Sequence, residues 1–363
     1  MGDTGVDPFS VEKKRNEKPP KQRQWEEPYE EVGKIYTREM AIENRNPNLP
    51  KGVIHDEEAW KPEGKYWDPY RKTFKEPENL TSGKYVLWDT HTSHVKNPKT
   101  VPWKAPRVSA VDSRIEIDGL SINYTKVGKG KSNLLCLPGM MGFWQRDFGN
   151  HVEYLASKFT VVAFDPPGYG KSRPPDREYS LETNKKDAEI AAKLMKKLGL
   201  EHYSVLGWSE GGRTALYLAS QQPKTVDKLI IWGTTTEVTE PVFEYFQTTD
   251  DWRDLHHTSL EQLRSVYDDS DISELWNDQR NFYLDCYHNQ DKLIKDETLA
   301  KIDQPVLILH GDNDELLEFD REPRLLKQKI KNSELRIKHE GTHDLHERFP
   351  CWFRMSVEKF VNN

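Results

Sequence analysis

Ser209 is the residue of this sequence that is best placed to act as a nucleophile. It stands at the centre of Gly207-Trp208-Ser209-Glu210-Gly211, and this G-x-S-x-G spacing is typical of a tight strand-to-helix turn that exposes one hydroxyl. The apolar residues before it predict a strand, and the residues from Gly211 onwards predict the start of a helix. Such a turn needs small residues, since a Cβ at either glycine would collide with neighbouring backbone. We therefore predict a serine nucleophile.

A serine hydroxyl is a poor nucleophile near neutral pH unless a base takes its proton, so a histidine must lie within hydrogen-bond reach. In chain order the acid and then the histidine are expected to follow the serine. His343 comes after the last strand-like run, residues 335–338, and fits this order. His346 lies three residues later and remains the competing candidate. We favour His343 as the base.

The acid that orients the histidine is expected directly after the apolar run 306–309. The loop there offers two candidates, Asp312 and Asp314. Asp314 is further from the end of the predicted strand and is better able to reach a histidine on the next loop. Asp312 is the better candidate for capping the turn. We favour Asp314 as the acid.

Two backbone N–H groups are needed to stabilise the negative oxygen that develops during attack on a carbonyl. One is predicted to be the amide of Glu210, directly after the nucleophile. The other is predicted on the loop after the first buried strand, where the N–H of Met140 is best placed. The side chain of Met140 is expected only to fill space. Together these residues predict acyl transfer through a Ser-His-Asp triad.

Continuous apolar runs recur after residue 107 and predict strands that are buried on both faces. They are residues 134–137, 159–164, 203–206, 229–232 and 306–309. Between them, apolar residues at helical spacing from Ala188 to Leu198 predict a helix that ends at Gly199. Before them, residues 115–124 alternate around Asp118-Gly119 and predict an antiparallel hairpin. The alternation of strands and helices predicts an α/β domain, with a mostly parallel central sheet flanked by helices.

A long insertion is predicted between two of these strands. About 70 residues separate Gly233 from Pro305, far more than the 2 to 6 residues of an ordinary α/β connection. The interval is rich in aromatic residues between Phe243 and Tyr287, which suit small helices with an apolar underside. We interpret residues 234–304 as a helical cap over the active edge of the sheet.

Residues 1–106 have the composition of a segment that does not fold by itself. They contain only 15 Val, Ile, Leu and Phe, while 19 Lys and Arg are balanced by 18 Asp and Glu. Five tryptophans in this segment could anchor it on a surface. We predict an extended or partly disordered arm that lies on its own domain or wraps a protein partner.

Composition excludes several classes of function. A net charge of −7 gives no general attraction to nucleic acid or anionic membranes. Three cysteines without C-x-x-C spacing argue against a disulfide framework or a thiolate metal site, and we expect no metal and no cofactor. No apolar run approaches the roughly 18 residues of a membrane span, and the N-terminus lacks a signal core. We expect an intracellular protein, cytoplasmic or mitochondrial.

The motifs LLCLPGMMG, DFG, FTVVAFDPPGYGKSRPPDREY, LGWSEGGRTAL, LIIWG, LILHGDND and EGTHDLHERF resemble those of the α/β-hydrolase superfamily. Within it they look like the valacyclovir hydrolase (biphenyl hydrolase-like) group. The resemblance covers about residues 107–363, the predicted hydrolase domain, and it does not cover residues 1–106. It implies a serine esterase acting on small α-amino-acid esters, with the triad at Ser209, Asp314 and His343.

The resemblance also implies that a carboxylate after the serine receives the ammonium group of the substrate, which would be Glu210 here. That group usually has Asp at this position, so Glu210 adds a methylene. The alternative is that the Glu210 side chain only bonds to surrounding loops. Other hydrolytic substrates, such as thioesters, general esters or carbon–carbon bonds, suit the same triad. A different class of function is a non-catalytic protein that residues 1–106 dock into an assembly.

Overall fold

The structure is a computed structural model that describes residues 110–255 and 257–363, together with the backbone of three short strands among the first 109 residues. These strands are β1 (Val53–His55), β2 (Trp67–Asp68) and β3 (Thr73–Phe74). β2 and β3 pair with each other in antiparallel register. The predicted arm of residues 1–106, and any partner it binds, otherwise fall outside the described residues.

The central sheet is nine-stranded, with the order β1-β11-β10-β9-β8-β6-β7-β5-β4. Its remaining strands are β4 (Ser113–Ile117), β5 (Leu120–Val127), β6 (Asn133–Leu137), β7 (Thr160–Phe164), β8 (Tyr203–Trp208), β9 (Val226–Trp232), β10 (Val306–Gly311) and β11 (Ser333–Lys338). In this spatial order, each pair of neighbouring strands from β1 at the edge as far as β7 is parallel. The last two strands differ, because β5 is antiparallel to both β7 and β4. The predicted mostly parallel sheet is therefore confirmed.

Successive residues of the buried strands serve two different core layers. In β9, Leu229 and Ile231 belong to one apolar cluster, whereas Ile230 and Trp232 belong to the other. This follows from the strand geometry, in which neighbouring side chains point to opposite faces. A strand covered by helices on both faces is apolar at nearly every position, and for this reason the near-continuous apolar runs predicted the strands.

Helices cover both faces of the sheet. They are α1 (Trp144–Ala156), α2 (Thr183–Lys197), α3 (Glu210–Gln221), α8 (Glu322–Lys329), α9 (Leu345–Arg348) and α10 (Pro350–Asn362). The first cluster receives residues of α2, α3 and α8, and the second receives residues of α1 and α10. Gly199, at φ 71°, follows α2 as predicted. The predicted hairpin is also confirmed, since Ile117 pairs with Leu120 across Asp118 and Gly119 at positive φ.

The interval predicted as a cap holds helices α4 (Glu240–Thr248), α5 (His257–Leu263), α6 (Asp269–Asn289) and α7 (Asp296–Leu299), and a short 3₁₀ turn (Trp252–Asp254). Residues of α4, α5 and α6 pack in a third apolar cluster that also includes Met141 and Tyr169 of the main domain. The end of the interval behaves differently, because Ile294, Leu299 and Ile302 pack in the main core. The covering helices therefore lie before Ile294.

Candidate active site

Ser209 occupies a strained turn at the end of β8. Its backbone has φ 53° and ψ −114°, and α3 begins at the next residue. A non-glycine residue in such a sparsely populated region costs about 1–3 kcal/mol and persists only where its surroundings enforce it. Here they do: a Cβ on Gly207 would lie 2.5 Å from the Gly211 carbonyl oxygen, and a Cβ on Gly211 would lie 2.1 Å from that of Leu137. The two glycines of the motif are therefore required by close backbone packing.

His343 and Asp314 are in direct contact. The Nδ1 atom of His343 lies 3.0 Å from Oδ2 and 3.3 Å from Oδ1 of Asp314. The Asp314 side chain is almost completely buried, and its Oδ1 also accepts the backbone N–H groups of Leu316 and Leu317, each at 3.0 Å. Burial by itself raises the pKa of Asp314, but the charge of His343 and these hydrogen bonds outweigh it and lower the pKa overall. The acid therefore stays ionised.

The His343 loop is attached to the strand that carries the nucleophile. The indole N–H of Trp208 donates to the His343 carbonyl oxygen at 3.0 Å. On the neighbouring strand, the Trp232 carbonyl accepts the backbone N–H of Ser209 at 2.9 Å, and the imidazole of His343 packs against Gly233. Ser209, Asp314 and His343 thus lie just after the carboxyl ends of β8, β10 and β11, which share one edge of the parallel sheet.

His346, the competing base, is buried in an aromatic cluster below this edge. Its ring packs against those of Trp208, Trp232 and Phe353, and its Nδ1 accepts the indole N–H of Trp232 at 3.1 Å. Burial lowers the pKa of His346 to about 3. Such an imidazole stays neutral and has no access to a substrate, so His346 is a core residue.

Asp312, the competing acid, caps the loop that leads to His343. Its Oδ1 accepts the backbone N–H of Glu340 at 2.7 Å, and its Oδ2 lies 2.8 Å from Nδ1 of His339. This is the capping position that the sequence predicted for it. The structure thus places Asp314, rather than Asp312, against His343.

The loop with Met140 is held rigidly by two residues that the sequence reasoning did not single out. Asp147 Oδ2 accepts the N–H of Gly139 at 2.8 Å, and Arg146 Nη2 donates to the Met140 carbonyl at 2.9 Å. The Gly139 carbonyl accepts the N–H of Gly142 inside the turn. Because the peptide is planar and trans, the Met140 N–H of the same peptide points out of the turn. Asp147 belongs to the DFG motif quoted above, so the sequence did contain a signal that could have pointed to it.

The cap is tied to this loop through Tyr267. Its hydroxyl accepts the N–H of Gly170 at 2.5 Å and donates to the Met141 carbonyl at 3.3 Å. Met141 itself has φ 51°, so its peptide needs such support. Nothing in the sequence marked Tyr267, because its role depends on two loops that are distant in the chain.

The carboxylate of Glu210 is buried and fully engaged with protein groups. Its Oε1 accepts from Arg177 Nη2 at 2.9 Å and from Asn184 Nδ2 at 3.3 Å. Its Oε2 accepts from the Tyr169 hydroxyl at 3.1 Å and from Gln279 Nε2 at 3.4 Å. A carboxylate has about four acceptor positions, and all four are used here.

The Arg177 contact bears directly on the predicted role of Glu210. Burial raises the pKa of Glu210, but the charges of Arg177 and Arg213 outweigh it and lower the pKa, so the group is ionised. A substrate ammonium would have to displace a buried guanidinium 2.9 Å away. These contacts agree with the alternative stated above, with the difference that two of the four partners, Asn184 and Gln279, lie on helices rather than loops. The receptor role of Glu210 stays a prediction. Arg177 lies in the PPDREY stretch, but no sequence signal pointed to Asn184 or Gln279.

In the described part of the chain, none of the helices combines the length and the apolar character that a membrane crossing requires. Over the same residues, no group of three His, Cys, Asp or Glu side chains is placed to hold a metal ion.

Known proteins match a large part of this chain. A family model described as the alpha/beta hydrolase fold matches residues 133–296. Serine hydrolase BPHL of Homo sapiens is 35% identical over 272 residues, which are 73% of this chain and 91% of that protein. A second relative, from Pseudomonas putida, is 29% identical, and the match covers 61% of this chain and 84% of that protein. It is a 2-hydroxy-6-oxononadienedioate/2-hydroxy-6-oxononatrienedioate hydrolase.

Solved structures show the same fold. The 2-hydroxy-6-oxo-6-phenylhexa-2,4-dienoate hydrolase of Rhodococcus sp. strain RHA1 superimposes with a TM-score of 0.58 at 20% identity. The match covers 70% of this chain and 99% of that structure.

Proposed function

Because this chain belongs to the α/β-hydrolase family, and within it to the serine hydrolases related to Serine hydrolase BPHL, we propose that it hydrolyses carboxylic esters through Ser209, His343 and Asp314. The observation that carries the proposal is the direct contact of His343 with the buried Asp314, on a loop bonded to the residue before Ser209. That arrangement supplies a base where the strained turn exposes a hydroxyl.

The reaction follows from these positions. Ser209 Oγ attacks the ester carbonyl while His343 takes its proton, and Asp314 stabilises the imidazolium that forms. The N–H groups of Glu210 and Met140 would receive the negative oxygen, since Glu210 is the first residue of α3 and its N–H has no partner within the helix. His343 then protonates the leaving alcohol, and water releases the acyl group through the same base. Besides water, this sequence of steps requires no other reactant.

The finer expectation was hydrolysis of small α-amino-acid esters, with Glu210 as the receptor of the ammonium group. The four donors on the Glu210 carboxylate argue against that receptor. We therefore propose a carboxylic ester hydrolase that does not require an ammonium group on its substrate.

The proposal is tested with benzyl valerate, a neutral ester, by measuring the release of benzyl alcohol. We expect turnover that diisopropyl fluorophosphate abolishes at one equivalent, because Ser209 Oγ displaces fluoride and forms a stable bond to phosphorus. Mass spectrometry of the peptides should place the adduct on Ser209. An enzyme that takes up the phosphoryl group but never releases benzyl alcohol, from this ester or from other simple esters, would favour a different hydrolytic substrate.

The pH dependence of ester hydrolysis reports on His343. Burial lowers the pKa of this group, but the Asp314 carboxylate outweighs it and raises the pKa above the ordinary 6.5. The base must be neutral to take a proton, so activity is lost as the pH falls through the raised pKa. We expect kcat/KM for benzyl valerate to decline on the acid side with a midpoint above 6.5. His346, with a pKa of about 3, adds no second step. A midpoint at pH 5 would contradict the His343–Asp314 pairing.

A further inference from the structure

Arg213 is a buried guanidinium close to the nucleophile. It lies on α3, four residues after Ser209, which is about one helical turn. Its exposed fraction is 4%. Nε donates to the Asn184 side-chain oxygen at 3.1 Å, and Nη2 donates to the hydroxyl of Tyr283 on the cap helix α6. The guanidinium therefore lies between the helix of the nucleophile and the cap.

Both of these hydrogen-bond partners are uncharged. Among the residues that the structure describes, no carboxylate lies within 4.0 Å of Arg213, whereas Arg177 nearby is bidentate to Asp187 and also contacts Glu210. A buried charge is costly unless it is paired, and arginine is rarely buried without an anion. A guanidinium has five N–H donors, so two neutral partners leave it able to bind an anion.

Glu210 is the nearest candidate counter-ion on α3, but Asn184 separates the two groups. The amide of Asn184 donates to Glu210 Oε1 at 3.3 Å and accepts from Arg213 Nε. The direct ionic partner of Glu210 is Arg177. Glu210 thus makes its direct ion pair with Arg177, while Arg213 acts on it only through its charge and without contact.

Two further features favour an anion at this place. Arg213 is near the N-terminal end of α3, where the helix dipole is positive. It is also close enough to the catalytic base to act on it electrostatically: burial lowers the pKa of His343 most, Asp314 raises it, and the charge of Arg213 lowers it to a smaller extent. Because Arg213 is also only about one helical turn from Ser209, an anion bound to its guanidinium would lie near the nucleophile.

We infer that Arg213 binds a carboxylate on the acyl part of the substrate, so that the preferred substrates are esters whose acyl chain ends in a second, ionised carboxyl group. This inference rests on the proposed ester hydrolysis and adds the substrate class. The Tyr283 ring, 5.6 Å from the guanidinium carbon, and Asn184 hold the guanidinium in place for this contact.

The test compares three benzyl esters of equal acyl length: monobenzyl glutarate, which is anionic, benzyl valerate, which is neutral, and benzyl 5-aminovalerate, which is cationic. We expect wild type to prefer the anionic ester over the neutral one by about 10- to 150-fold in kcat/KM, the range of one charge-assisted hydrogen bond. The cationic ester should be the poorest. Arg213→Leu should remove the preference for the anionic ester. Arg213→Lys should retain part of it, since lysine keeps the positive charge but lacks the paired N–H donors of the guanidinium.

Arg264→Leu is the matched control, because Arg264 is an exposed cap arginine paired with Asp269 and should leave the preference unchanged. Unfolding temperatures of all variants are measured in parallel. If Arg213→Leu does not fold, the order of the kcat/KM values of wild type for the three esters tests the inference by itself. Equal rates on the anionic and neutral esters would overturn the inference and leave ester hydrolysis intact. A preference for the cationic ester would overturn it as well. Failure to cleave any of the three would remove both proposals.

Discussion

Replacement of Ser209 by alanine is expected to lower kcat for benzyl valerate by about a millionfold, the size of effect seen when the nucleophile of a serine hydrolase is removed. The hydroxyl forms the covalent bond to the acyl group, and no other described group stands in the same strained turn. What remains is the contribution of the oxyanion donors and of substrate binding. The measurement is the release of benzyl alcohol by one preparation of the variant. The variant and the wild type carry different affinity tags, so that traces of wild-type enzyme are removed during purification.

The substitution should leave the fold unchanged. Alanine keeps the Cβ that Ser209 already places at φ 53°, and the Ser209 backbone bonds to Trp232 and Thr234 do not use the hydroxyl. Ser220→Ala is a matched control on α3, the helix that follows Ser209, since the Ser220 hydroxyl only donates to the Tyr217 carbonyl. We expect its activity within about threefold of wild type, as for ordinary surface changes. A Ser209→Ala enzyme that keeps a tenth of the wild-type rate would exclude Ser209 as the nucleophile.

Asp314→Asn is expected to reduce kcat by about 10⁴-fold, while KM changes little. The carboxylate accepts from His343 Nδ1 and so leaves Nε2 free to take the proton of the serine. An amide can present its NH₂ group to Nδ1 instead, and the imidazole then carries its proton on Nε2, where it cannot act as a base. The acceptor bonds to Leu316 and Leu317 can be kept by the amide oxygen, so the loop should stay in place.

Asp312→Asn is the control for this experiment, because Asp312 lies on the same loop and contacts His339 and Glu340 rather than His343. Its kcat should remain within about threefold of wild type, with at most a modest loss of stability from the weakened cap. If Asp312→Asn caused the larger loss in kcat, the assignment of the acid would have to be reversed.

The sheet could be predicted because the physical causes of its strands are local. A strand buried on both faces is apolar at nearly every position along its buried part, and the apolar runs within β6 to β10 showed this in the sequence. The turn at Ser209 was equally visible, since only glycine tolerates the backbone contacts made by Gly207 and Gly211. Residues 1–106 offered only composition, which left open whether this arm lies on its own domain or wraps a protein partner.

The choice between neighbouring histidines needed the tertiary structure. His343 and His346 are three residues apart, and the sequence favoured the first only by its place after the last strand. Their difference comes from what surrounds each ring. His343 meets Asp314, 29 positions away, whereas His346 accepts a hydrogen bond from Trp232, 114 positions away. A pattern of neighbouring residues in the sequence does not predict a contact between residues that are this far apart in the chain.

Glu210 shows where the sequence by itself reached its limit. Its position after Ser209 predicted that its backbone N–H would face the reaction, because the turn geometry follows from the motif. The contacts of its carboxylate come from Arg177, 33 positions before it, and from Gln279, 69 positions after it. A buried carboxylate takes the partners that folding brings to it. Only the packing of the loop before α2 against α3 reveals that the Arg177 guanidinium is the ionic partner of Glu210.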